Sequence, residues 1–140
     1  MAKNDELPSF GKKRDILFSE RSSEERLRET GQKYLDAERY YDALEFFDRA
    51  EADDLVREVA EIALEAGDAP LYMRAKKVLG EKVTEQEWLA LAEKAEEKGM
   101  LSAARLGYER AGREEKAASI EQRMLGAERE QPDIEPGDAG

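Results

Sequence analysis

One spacing recurs along this chain and sets the kind of architecture it can adopt. Leu27, Thr30, Gly31 and Tyr34 are followed by Tyr40, Ala43, Phe47 and Ala50. Further on, Trp88, Leu91, Ala92 and Ala95 are followed by Leu101, Ala104, Tyr108 and Ala111. Between them, Val56, Val59, Ala60 and Ala63 repeat the leading set, with a poorer returning set of Ala69, Tyr72, Lys76 and Leu79. Steps of three, one and three residues place a leading set on one face of an α-helix. The small residue (Gly31, Ala60, Ala92) lets two helices approach closely, and the aromatic on the returning helix (Phe47, Tyr108) fills the space beside it. The chain therefore reads as all-α, built from three helical hairpins.

Start and stop signals agree. Helices are expected near 23–37, 40–51, 53–66, 70–79, 84–98, 100–111 and 113–125. Gly67, Gly80, Gly99 and Gly112 fall where helices should end, because glycine accepts the left-handed conformation at a helix C-terminus. Ser22 or Ser23 can cap the first helix, with Glu24 or Glu25 in its first turn. Asp68 can cap another whose first turn holds Pro70. Thr84 followed by Glu87 spells a capping box. Residues 1–22 read as an irregular arm, 23–126 as the helical domain, and 127–140 as a disordered acidic tail rich in proline and glycine.

The recurring pattern resembles the tetratricopeptide repeat, W-x2-L-G-x2-Y followed by A-x3-F and a closing alanine. The resemblance covers about residues 24–118 and implies an α-α superhelix ending in a capping helix at 113–125, to which we assign packing alone. Two departures stand out. The small residues lie 29 and 32 positions apart, shorter than the usual ~34, and the closing proline is missing. The wider class of irregular helix-hairpin solenoids, and a plain helical bundle, stay open as alternatives. In the middle unit Lys76 replaces the expected aromatic; either its charge enters the seam, or the helix is rotated so that Leu71, Met73, Val78 and Leu79 pack instead.

Composition bears on function. The 140 residues contain no histidine and no cysteine, which removes the commonest general base, thiolate metal ligands and disulfides. Ser102 and Ser119 thus have no histidine to activate them, and no glycine loop for phosphate occurs. Glu61 with Glu65, and Glu93 with Glu97, stand one turn apart, but without loop spacing for a cation they read as solvated faces. No enzyme activity, cofactor or metal is expected. A net charge of −11 opposes nucleic acid. No run has the length of a signal peptide or a membrane span, so a cytoplasmic protein is expected.

What remains is binding. In a tetratricopeptide array the leading helices line the concave face. The resemblance then places Glu25, Arg28, Glu29, Gln32 and Asp36 in the groove, with Arg57, Glu58, Glu61 and Glu65 from the second unit and Leu89, Glu93, Glu96 and Glu97 from the third. The subclass that holds a partner's C-terminal carboxylate uses lysine, arginine and asparagine at such positions; here Arg28 and Arg57 are the only cations, which disfavours an acidic ligand. An acidic groove suits a basic or amphipathic segment of another protein, although the same glutamates would also serve a merely soluble surface. The alternative is a structural subunit that self-associates into a homo-oligomer. The arm, with Lys12, Lys13 and Arg14 between Phe10 and Ile16-Leu17-Phe18, is expected to cover the edge of the first helix pair, to lie in the groove, to dock on a second copy of the chain, or to be the segment by which the protein is itself held.

Overall fold

A computed structural model describes residues 7–18 and 23–130. Among them are eight α-helices and no strand: α1 (Phe10–Phe18), α2 (Glu24–Asp36), α3 (Tyr40–Arg49), α4 (Asp53–Ala66), α5 (Ala69–Leu79), α6 (Glu85–Glu97), α7 (Leu101–Arg110) and α8 (Glu114–Glu130). They fall into two compact units that divide between Val83 and Thr84.

The first unit is organised around α3, which packs on α1, α2, α4 and α5. Its apolar stripe explains why: Ala43, Leu44, Phe46 and Phe47 are all buried. Phe46 stacks on Tyr34 of α2, ring centroids 5.2 Å apart. Gly31 is needed on the facing helix, since a Cβ there would lie 2.6 Å from Phe47 Cε1 and 2.9 Å from Phe46 Cβ. In the second unit, α7 packs on α6 and α8, and Ala92, Ala95, Ala104, Tyr108, Ala117 and Ile120 form the core. Here the small residue has changed sides. Gly107 of α7 faces Ala92 of α6, where an added Cβ would come within 2.8 Å of the Ala92 Cβ.

The caps form as the sequence predicts. Ser23 Oγ accepts from the Arg26 N–H, and Asp68 from the Leu71 N–H. Both capping-box bonds of Thr84 and Glu87 are present. At the other ends, α2 through α7 all close in the same way, with a backbone N–H reaching back five residues to a carbonyl: Arg39 to Tyr34, Ala52 to Phe47, Asp68 to Ala63, Glu81 to Lys76, Met100 to Ala95, and Arg113 to Tyr108. The closing positions of α2 and α3 return 61 residues later in α6 and α7, so Tyr34 matches Ala95 and Phe47 matches Tyr108.

Four of the six left-handed positions in these closures are glycines, but Glu38 (φ 60°) and Glu51 (φ 53°) hold the other two. A side chain is disfavoured there because its Cβ crowds the backbone. Glu38→Gly and Glu51→Gly should therefore each raise the unfolding free energy by about 0.5–1 kcal/mol, net of the extra chain entropy of glycine, measured by urea denaturation. A loss in both would show that the left-handed turn costs nothing at these sites.

Three expectations need correction. Residues 10–18 of the supposedly irregular arm form α1. Ile16 and Leu17 are buried, Lys13 pairs with Asp42 at 2.5 Å and Glu45 at 3.3 Å, and Arg49 Nε donates to the Leu17 carbonyl at 3.0 Å. Of the readings offered for the arm, this is the covering of the first helix pair. Burial opposes the charge on Lys13, but Asp42 and Glu45 outweigh it and hold the ammonium above its ordinary value. Second, α8 does not stop near 125: Gly126 is followed by Ala127, Glu128, Arg129 and Glu130, good helix formers that carry it to Glu130. The rest of the acidic tail, 131–140, lies outside the described residues. Third, of the four residues the rotated reading packs in α5, Leu71 is buried and Val78 and Leu79 are half-buried, but Met73 is 43% exposed. Lys76 does enter the seam, its side chain only 12% exposed, and its ammonium emerges to meet Glu81 at 2.8 Å.

Candidate functional site

The groove residues named from the sequence divide between the two units. On α4, Val56, Val59, Ala60 and Ala63 are buried. The stripe at Asp54, Arg57, Glu58, Glu61 and Glu65 is exposed, as 3.6-residue periodicity requires. On α2, Arg28 and Gln32 are half-buried and turned to neighbouring acids. Gln32 Nε2 donates to Asp36 at 3.0 Å.

The two arginines are engaged within the protein. Arg28 grips Asp54 through both terminal nitrogens, at 2.8 and 3.2 Å, joining α2 to the start of α4. Arg57 grips Glu81 in the same fashion at 2.7 and 3.4 Å, joining α4 to the segment after α5. The bond from Arg28 holds Asp54 below its ordinary carboxyl value. Glu81 is held down to about 2, first by Arg57 and then by Lys76. Because its folded value lies below the ordinary 4.5, the stability this contact adds is complete above that pH and is lost as the pH falls from there toward 2. We expect Glu81→Gln to lower the urea midpoint clearly near neutrality and hardly at all around pH 2; an equal deficit at both would rule out the ionic contact.

In the second unit the structure brings Leu89, Glu93 and Glu97 into one cleft of about 630 Å³, together with Glu96, Tyr108, Arg113, Lys116 and Arg123. At its centre Glu96 accepts from the Tyr108 hydroxyl at 2.5 Å and from Arg123 at 2.7 Å. Lys116 stands 3.8 Å away and 5.4 Å from the Tyr108 ring centroid. The Tyr108 bond is the main cause of a lowered Glu96, while burial and the adjacent carboxylate push the phenol upward. Three carboxylates thus face three cations, and the cleft is not the uniformly acidic surface that the leading helix alone implies. The sequence reading missed Arg113, Lys116 and Arg123 because it gave α8 packing alone. The seven-residue step from Lys116 to Arg123 was the available sign that one face of α8 carries cations toward α6.

Among the described residues, no three or more potential metal ligands cluster, and no helix is long and apolar enough to cross a membrane. No family profile, curated protein or solved structure matches the chain. The fold defines its class as an all-α protein of packed helical hairpins.

Proposed function

We propose that this chain is a tetratricopeptide-like interaction module, in which the exposed face of α4 takes a basic or amphipathic segment of another protein. One observation carries the reading. Arg28 and Arg57, the only cations among the groove positions, are held by Asp54 and Glu81, so they do not offset the outward charge of Glu58 and Glu61 on this face. Opposite potential steers a basic segment there and rejects acidic ones. The 61-residue recurrence of the helix closures supports a repeat origin for the fold.

The test is fluorescence anisotropy with a dye-labelled peptide of about twelve residues bearing lysines and leucines at helical spacing. Binding should weaken about tenfold in Glu58→Lys/Glu61→Lys and fall as salt is raised. Equal affinity for both proteins sinks the proposal. A second reading, a self-associating subunit, is favoured by Phe10 and Phe18, which stand 75% and 65% exposed at the ends of α1. Sedimentation equilibrium decides it: a mass that rises with concentration and returns to one chain in Phe10→Ser/Phe18→Ser would put assembly first.

A further inference from the structure

Among the described residues α5 is the most basic helix of an acidic chain. Its sequence, APLYMRAKKVL, contains Arg74, Lys76 and Lys77 and no acid. Lys76 is engaged with Glu81. Arg74 and Lys77 make no ion pair among the described residues. Glu81, the acid beside them, is itself occupied by Arg57 and Lys76. The two cations rim a mostly apolar hollow of about 510 Å³ whose other walls are Pro70, Met73, Val83 and the ion-paired Glu81. Next to it, the Arg74 guanidinium lies 5.9 Å from the ring centroid of Tyr41 on α3, itself 48% exposed.

These side chains have the chemistry of a binding site. Methionine is polarisable and unbranched, so it reshapes to whatever lies on it. Tyrosine and arginine are the residues on which interface energy concentrates. In a chain of net charge −11, two unmatched cations beside exposed apolar surface are the feature that solubility least explains, since added acid serves that purpose better. We infer that this patch docks an acidic amphipathic segment of a partner protein. An apolar side chain enters between Pro70, Met73 and Val83, and flanking carboxylates lie on Arg74 and Lys77. The apolar walls, with only two cations at the rim, suit such a peptide better than the phosphate backbone of a nucleic acid, which needs a longer basic track. The patch is opposite in sign to the α4 face and lies on other elements, so it stands whether or not that face binds a basic segment. With both, the first unit accepts two partners of opposite charge.

The test is an amide-resolved NMR titration of the full chain with a peptide of about twelve residues carrying leucines at helical spacing among glutamates. We expect saturable shifts at Met73, Arg74, Lys77 and Val83, and none there from the same peptide with lysine for every glutamate. Arg74→Glu/Lys77→Glu should reverse the preference, weakening the acidic peptide by about tenfold and admitting the basic one. Because a misfolded variant would bind neither peptide, the reversal separates recognition from damage. Equal binding of both peptides at the patch, binding of neither at millimolar concentration, or shifts confined to other surfaces overturns the proposal. So does a dimer that already covers the patch without peptide, which would assign it to a second copy of the chain.

Discussion

Phe46→Ala should lower the unfolding free energy by about 4 kcal/mol, more than any other single truncation considered in this protein. The side chain is 0% exposed, stacked on Tyr34, and its Cβ stands directly over Gly31. Removing the ring leaves a void on the helix that all the rest of the first unit touches. Fully buried Leu44 and Phe47 flank it on the same helix, and neither can swing into the space without emptying its own. Tyr41→Ala, on the exposed side of α3, is the control and should change stability by no more than about 0.5 kcal/mol. Urea unfolding of the two variants gives the comparison. A loss below about 1 kcal/mol for Phe46 would mean that α3 repacks and that its apolar stripe does not organise the unit.

Gly107→Val should cost about 3 kcal/mol by the opposite mechanism, overpacking. The added Cβ meets the Ala92 Cβ at 2.8 Å and its backbone Cα at 3.0 Å. No flexible side chain stands between the helices to yield, so α6 and α7 must separate. Ala92→Gly in the same background should recover part of the loss, an interaction that a double-mutant cycle isolates. Gly126, also inside a helix, has nothing within 4 Å of its added Cβ; Gly126→Ala should gain about 0.5–1 kcal/mol. If Gly107→Val behaves like Gly126→Ala, close approach is not what holds the second unit together.

Much of the fold was legible because the signals were local. Helix periodicity and the caps at Ser23, Asp68 and Thr84 depend on residues a few positions apart, and the helices run within about two residues of the expected limits except at α1 and the end of α8. The helix at 10–18 was hidden by Pro8 and Gly11 and by a basic cluster that reads as irregular until Asp42 and Glu45 are known to face Lys13. The ends at Glu38 and Glu51 carry no glycine, so nothing marks them as left-handed. For the candidate sites, the leading-helix positions followed from spacing, and their outward glutamates followed with them. Neither ion-paired arginine could be read in advance, because Asp54 and Glu81 lie 26 and 24 residues from their partners. The exposure of Met73 was equally out of reach, since it depends on whether Lys76 or its neighbours fill the seam.

The closest packing joins helices adjacent in sequence: α2 with α3, α4 with α5, α6 with α7, and α7 with α8. Such hairpins can form as soon as their second helix exists, and chains with mostly local contacts fold in microseconds to milliseconds. α1 breaks the order. Its docking partners lie on α3, and Arg49 follows Leu17 by 32 residues, which at about 5–20 residues per second is a delay of roughly 2–6 seconds during synthesis. For that interval Ile16 and Leu17, buried in the folded unit, are made but have nothing to pack against. The basic cluster beside them is then the local charge that keeps a nascent greasy segment apart from its neighbours.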